Sequence, residues 1–326
     1  MTLLVLLIAA TAAAGTVGAL TWRLAGAAST APTAMGTARR AGAAIRRHPG
    51  RGTVLATRLD PQAATGLGLT LALLAILGGG VLVAVLAYLI RGNTDLVQLD
   101  RGVARWGDRH ASPFSTDALN AITHLGQPVV VVGLAVILAA VETVRTRSRW
   151  VVPFLFIVVA GNGILTTTIK DVADRVRPAL NPIAETLGPS FPSGHSSWSA
   201  AFFAAAALLL SRGRGRPARA AIAGVAAGLA VMVAGSRVLL DVHWLSDVIA
   251  GLALGLTWFS ICAIAFGGRL LRFGAAADEA ARVAEARTVD AHSPAPPRAM
   301  SSCPQRWPPV RLGVRLEGLS RPTRRS

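Results

Sequence analysis

Residues 236–267 read SRVLLDVHWLSDVIAGLALGLTWFSICAIAFG. From Leu245 onward the stretch is an almost unbroken apolar run, and such a run of about 18 or more residues marks a membrane-spanning helix, because a hydrocarbon core about 30 Å thick takes about 20 helical residues to cross. Its first half is different: Ser236, Arg237, Asp241, His243 and Asp247 crowd together around the point where the run begins. A cluster of ionisable side chains at the mouth of a span is a candidate site for chemistry, since charges are costly there unless they are paired or used.

Outward from this stretch, the same apolar pattern recurs. Seven runs are read, at about 1–20, 66–90, 125–142, 150–169, 196–211, 218–236 and 245–267, the third and fifth being short for complete spans. The fold class expected is therefore all-α, a polytopic membrane bundle. The chain of 326 residues carries a net charge of +17, which in a soluble protein points to nucleic acid. Here the arginines gather in the segments between spans, and no basic stripe with interleaved aromatics is present, so nucleic acid is not an expected partner; the bilayer is. Segment 21–65, loop 143–149, loop 211–219 and the region after Gly267 are arginine-rich, whereas 91–124, 170–195 and 237–244 mix acids with bases. With seven alternating spans, all the arginine-rich segments fall on one side. The tendency of basic loops to stay inside makes that side cytoplasmic and the mixed loops extracytoplasmic, in a cell membrane.

Residues 1–20 lack a charged leading segment, and the first positive charge, Arg23, follows the run, which favours a retained span over a cleaved signal. Segment 21–65 is expected to be a poorly ordered basic cytoplasmic stretch, and 268–326 a Pro- and Arg-rich cytoplasmic tail without fixed structure. Loop 91–124 has apolar residues at helical spacing interrupted at Pro113, which predicts one or two amphipathic helices at the interface, with Trp106 and Phe114 at that depth. Cys262 lies in a span and Cys303 in the tail, so neither a disulfide nor a metal cluster is expected.

Three polar segments emerge on the outer side. In KDVADRVRP, Lys170 is the only lysine of the chain, and Lys170 and Arg177 are seven apart, which on a helix places them on one face. An ammonium and a planar guanidinium suit a phosphate, although a lysine at a span end also reads as snorkelling. In FPSGHSS, a Pro-Ser-Gly turn leads into an apolar helix whose first turn offers free N–H groups to an anion. Gly194 permits close backbone approach, Ser193 has a hydroxyl to donate, and His195 stands beside the anion; a plain helix cap by Ser193 is the other reading. In SRVLLDVHWLSD, His243 and Asp247 are four apart and so neighbours on a helix face, with Asp241 on a different one. A carboxylate on one ring nitrogen fixes the tautomer and leaves the other nitrogen free to attack; a structural Arg/Asp/His network sealing the span end is the alternative. Together the segments bring one lysine, two arginines, a helix N-terminus, two histidines and a carboxylate to one face: an anion pocket with a nucleophile, an acid and an orienter.

These residues match three motifs, Lys-x6-Arg-Pro (Lys170, Arg177, Pro178), Pro-Ser-Gly-His (Pro192 to His195) and Ser-Arg-x5-His-x3-Asp (Ser236, Arg237, His243, Asp247). In them the chain resembles the type 2 phosphatidic acid phosphatase superfamily, which also holds the vanadium haloperoxidases. The resemblance covers about 66–267 and implies a six-helix phosphatase core, with the first span, 21–65 and the tail outside it. It further implies that His243 is the nucleophile, Asp247 its orienter and His195 the general acid and then base. Lys170, Arg177, Ser193, Gly194 and Arg237 would bind the phosphoryl oxygens, with no metal and no cofactor. The expected activity is hydrolysis of a lipid phosphate or diphosphate, such as a polyprenyl diphosphate, phosphatidic acid or phosphatidylglycerol phosphate, through a phosphohistidine. A lipid phosphotransferase would use the same residues. A haloperoxidase fits poorly with seven spans. A channel, transporter or inactive binding protein fits poorly with charges confined to span ends on one side.

Overall fold

The computed structural model describes residues 1–27, 64–178 and 188–270. Most of the basic segment read at 21–65 and the tail read at 268–326 lie outside the described residues. Helices and turns make up the described residues, with no strand among them. In chain order the helices are α1 (Thr2–Ala27), α2 (Ala64–Leu89), α3 (Thr94–Arg109), α4 (Pro113–Thr123), a 3₁₀ turn (His124–Gly126), α5 (Pro128–Thr146), α6 (Val151–Ala173), α7 (Gly194–Leu210), α8 (Arg216–Leu239) and α9 (Leu245–Leu270). All seven apolar runs are helices. Among the described residues, α1, α2, α5, α6, α8 and α9 are long and apolar enough to cross a membrane, while α7 is shorter at 17 residues.

The fifth helix of the chain runs further than its apolar stretch implies. Glu142 is fully buried within α5, where an unpaired carboxylate would end a span. Arg145, one turn on, grips both of its oxygens at 2.8 Å, and donates in turn to the Leu209 carbonyl at 3.2 Å and the Arg212 carbonyl at 3.3 Å. The neutralised pair lets α5 continue to Thr146 and ties it to the end of α7.

At the centre, α9 packs against α7, α2, α6 and α8, while α8 also packs against α1. Val131, Val151, Phe154, Val158, Leu209 and Val233 are buried in the main core, whereas Leu74, Leu77, Val136, Phe156 and Ile164 face outward, as side chains bathed in lipid do. Hydrocarbon offers no hydrophobic drive for helices to associate, so close backbone approach matters more. Gly251 and Gly255, one turn apart on α9, supply it: a Cβ at Gly251 would sit 2.5 Å from the Ser193 carbonyl oxygen, and one at Gly255 2.3 Å from that of Ser197. On α8, a Cβ at Gly224 would sit 2.7 Å from the Ala14 carbonyl oxygen of α1.

Residues 91–126 form two helices, α3 and α4, and a 3₁₀ turn. Asn93 caps α3 by accepting the Leu96 N–H at 2.8 Å. Ser112 and Ser115 cap α4 reciprocally, so Pro113, at a first-turn position that needs no N–H donor, begins a helix rather than merely breaking one. The inward face of α3 buries Asp100, Ala104 and Gly107.

Replacing Gly251 by Ala forces α9 away from the start of α7. Overpacking of this kind costs about 1–3 kcal/mol, and thermal unfolding in detergent is expected to show a lowered Tm; Gly133→Ala, which meets open space on α5, is expected to show none.

Candidate active site

One end of the bundle is built from the end of α6, the start of α7 and the turn between α8 and α9. α6 stops at Ala173 because Asp174 takes a left-handed backbone, φ 41°. Lys170 and Arg177 therefore do not share a helix face as their spacing implies. The chain turns back instead, and the two meet at one carbonyl: both the Lys170 ammonium and Arg177 Nη2 donate to the Pro189 oxygen, the latter at 3.2 Å. Arg177 Nε also donates to the Gly188 carbonyl at 2.8 Å and Nη1 to that of Val242 at 2.6 Å.

Ser193 stands at the N-cap of α7 but makes no side-chain cap. Its hydroxyl oxygen accepts from Ser196 Oγ at 2.9 Å and its N–H donates to the Asp247 carbonyl at 2.9 Å. A hydroxyl that accepts in this way keeps its own hydrogen for another acceptor. The nearest atom to a Cβ built on Gly194 is Thr166 Cγ2 at 4.0 Å, so the first turn of α7 opens onto free space. That space is part of a cavity of about 620 Å³ lined by Lys170, Gly194, Thr166, Gly163, Pro128 and Trp198. His195, half-buried on the next position, lies within electrostatic reach of Arg237, His243, Arg177 and Lys170. Gly126 backs it closely: a Cβ there would be 3.3 Å from the Cβ of His195.

His243 and Asp247 also meet in a way the spacing does not predict. Helix α8 ends at Leu239 and α9 starts at Leu245, so His243 lies in a turn. The Arg237 carbonyl closes that turn by accepting the N–H groups of Val242 and His243, both at 3.2 Å. Asp247, in the first turn of α9, reaches back to accept the Trp244 N–H on Oδ2 at 3.0 Å. This capping contact holds Oδ2 3.6 Å from His243 Nδ1. On the other side of the ring, Arg177 Nη1 is 3.1 Å from Nε2. Arginine only donates, so Nε2 carries the lone pair and Nδ1 the proton, aimed at Asp247. Burial pushes the His243 pKa down to about 4, against the smaller opposing pull of Asp247, and the ring is neutral at pH 7. Asp241, in the same turn at φ 54°, is directed elsewhere: a Cβ at Gly107 of α3 would lie 3.8 Å from its carboxylate. Burial, with Asp108 nearby, raises its pKa to about 7.

Arg237 donates from Nη1 to Thr123 Oγ1 of α4 at 3.0 Å, while its buried Nε has no hydrogen-bond partner among the described residues. Such a donor inside a basic pocket is suited to an anion oxygen. Sequence reasoning missed Thr123, and it missed Arg175, whose Nη1 is 2.5 Å from Asp247 Oδ1. The signal for Arg175 was a second arginine in KDVADRVRP; for Thr123 there was none.

Residues 150–270 match the family model described as the PAP2 superfamily. Phosphatidylglycerophosphatase B of Bacillus subtilis (strain 168) is 31% identical over 173 residues, 51% of this chain and 83% of that protein. This chain belongs to the PAP2 superfamily. Decaprenylphosphoryl-5-phosphoribose phosphatase of Mycobacterium tuberculosis is 33% identical over 157 residues, 45% of this chain and 78% of that one. Lipid A 1-phosphatase of Rhizobium johnstonii is 36% identical over 153 residues, 42% of this chain and 59% of that one. Among solved structures, the crystal structure of a transmembrane PAP2-type phosphatidylglycerolphosphate phosphatase from Bacillus subtilis aligns with a TM-score of 0.55 at 27% identity, over 61% of this chain and 99% of that one. The chain is thus a multi-pass membrane protein of the PAP2 superfamily, and all three of its motifs fall within the matched segment.

A PAP2 histidine buried neutral makes stability depend on pH. The folded pKa lies below the ordinary value of about 6.5, so the unfolded chain binds the proton first. The stabilising contribution is present above about 6.5 and is lost progressively as pH falls through about 4. Chemical denaturation across this range is expected to show that loss, smaller in His243→Phe.

Proposed function

We propose that this protein is a metal-independent lipid phosphatase that works through a phosphohistidine on His243. The observation that carries the reading is the placing of the His243 ring, with Nε2 3.1 Å from Arg177 Nη1, which can only donate, and Nδ1 3.6 Å from Asp247 Oδ2. Lys170, Arg177 and Arg237 supply the positive charge that phosphoryl transfer draws from metal ions elsewhere. The Ser193 hydroxyl and the first N–H groups of α7 complete the cradle.

In the first step Nε2 attacks phosphorus and the bond from phosphorus to the lipid oxygen breaks. His195 protonates the departing oxygen, a contribution of roughly 10²–10⁴-fold. Asp247 stabilises the imidazolium character the ring gains. In the second step His195 takes a proton from water, whose oxygen attacks phosphorus as the bond to Nε2 breaks, releasing inorganic phosphate.

A substrate that shares the membrane is supported by the cavity beside α6 and α7. It reaches from Lys170 past Thr166 and Ile164 to Trp198, and Ile164 also faces outward from the bundle. The named relatives point the same way, towards glycerolipid, lipid A and polyprenyl phosphates. Arg145, Arg212 and Arg216 lie at the opposite end of the bundle from His243, which supports a site on the extracytoplasmic face of the cell membrane.

Phosphate release from a panel of lipid mono- and diphosphates, in detergent with EDTA, tests this reading. His243→Ala is expected to abolish turnover, and His195→Ala to lower it by roughly 10²–10⁴-fold. Undiminished release by His243→Ala, or a strict need for a divalent ion, would refute it.

A further inference from the structure

Arg175 lies outside the phosphate cradle, yet it is among the most fully engaged charges in the protein. Its Nη1 is 2.5 Å from Asp247 Oδ1 and 2.7 Å from Ser246 Oγ, and its Nη2 is 2.8 Å from Asp100 Oδ2. Its guanidinium carbon lies 5.6 Å from the centre of the Trp244 ring. Trp244 in turn donates from Nε1 to the Val176 carbonyl at 2.9 Å, closing the enclosure.

Asp100 is the unexpected member. It sits on the amphipathic helix α3, whose outward side is polar, but is itself 1% exposed. Its Oδ1 accepts the Ser246 N–H at 3.0 Å and its Oδ2 accepts from Ser246 Oγ at 2.5 Å. A buried carboxylate is costly unless paired, and its partners are Ser246 in the first turn of α9 and Arg175 in the chain after α6. Asp100 thus holds Arg175, and Arg175 holds the Asp247 oxygen that does not face the histidine.

We propose that Arg175, anchored by Asp100 of α3, is a positioning residue that aims the Asp247 carboxylate at His243 and sets its charge. The proposal rests on the reading of His243 as nucleophile and deepens it. Of the two Asp247 oxygens, Oδ1 is taken by Arg175 and Oδ2 by the Trp244 N–H, so the carboxylate cannot rotate away from Nδ1. Two carboxylates sharing one guanidinium leave one net negative charge behind the imidazole. That charge opposes the cations on the remaining sides: Lys170 and Arg177 from the α6 end and Arg237 from α8, with His195 facing from α7. A ring that becomes imidazolium-like on phosphorylation needs such a counter-charge.

The two partners predict shifts of opposite sign. Removing Arg175 leaves two uncompensated carboxylates behind His243, which makes the ring easier to protonate. Neutralising Asp100 leaves Arg175 less compensated, which makes it harder.

The experiment measures kcat and KM against pH for Arg175→Gln, Arg175→Lys, Asp100→Asn and His243→Ala. The substrate is the lipid phosphate that the unaltered protein cleaves fastest in the panel above. Arg175→Gln is expected to lower kcat about 10–100-fold, as loss of outer partners does elsewhere, with KM changed less than about threefold because Arg175 does not bind the phosphoryl group. Its acid limb should move to higher pH, that of Asp100→Asn to lower pH, and Arg175→Lys should recover part of the rate. An unmoved acid limb and a kcat within about twofold of normal in Arg175→Gln, beside an inactive His243→Ala, would overturn the proposal and leave the nucleophile intact. Activity in His243→Ala would instead overturn the reading beneath it. If Arg175→Gln does not fold, the near-isosteric Asp100→Asn decides alone: a downward shift of its acid limb supports the proposal, and no shift refutes it.

Discussion

Asp247 is the residue through which the end of the bundle that carries His243 is tied together. One carboxylate oxygen accepts the Trp244 N–H and faces the His243 ring; the other accepts from Arg175. Its backbone oxygen accepts the Ser193 N–H at the head of α7. A single buried anion thus connects the chain after α6, the start of α7, the turn before α9 and α9 itself. Each contact is charge-assisted or lies at a helix terminus, where orphan N–H groups seek acceptors. The cost of burying this carboxylate is met by two directed donors, Arg175 and the Trp244 N–H, with the His243 ring 3.6 Å away.

Around that anion the electrostatics are uneven. Lys170, Arg177 and Arg237 crowd one side, and their donors are partly occupied by the carbonyls of Gly188, Pro189 and Val242. Neutral carbonyls are weaker acceptors than a phosphate dianion, which would compete for the same N–H groups. Arg237 Nε has no hydrogen-bond partner among the described residues, and a buried donor of this kind suits an anion oxygen. The neutral His243 fits this setting: low dielectric and neighbouring cations both oppose its protonation, and a lone pair is what an attack on phosphorus requires.

Packing makes this geometry possible. The PSGH segment meets α9 at Gly251 and Gly255, where any side chain would collide with the Ser193 and Ser197 carbonyls. Small residues let helices approach closely enough in lipid for dispersion to hold them. The two amphipathic helices, α3 and α4, contribute too. α4 supplies Thr123 to Arg237, and α3 supplies Asp100 to Arg175, so the elements lying outside the spans brace two site arginines.

The residue order alone determined the class of the protein. Apolar runs as long as the bilayer is thick form helices, because that follows from local composition. The motif residues Lys170, Arg177, Ser193, Gly194, His195, Arg237, His243 and Asp247 were legible for the same reason: their types and spacings are local. How they meet was not legible. Helical periodicity wrongly put Lys170 with Arg177, and His243 with Asp247, on shared helix faces. In the structure Asp174 ends α6 and a turn carries His243, and the pairs meet through backbone capping and a common carbonyl. Asp100, 75 residues before Arg175, looked like one more polar position on an amphipathic helix. Only the tertiary structure decided that it lies buried against α9, because a carboxylate's partner across such a separation depends on where the helices pack and not on any period along the chain.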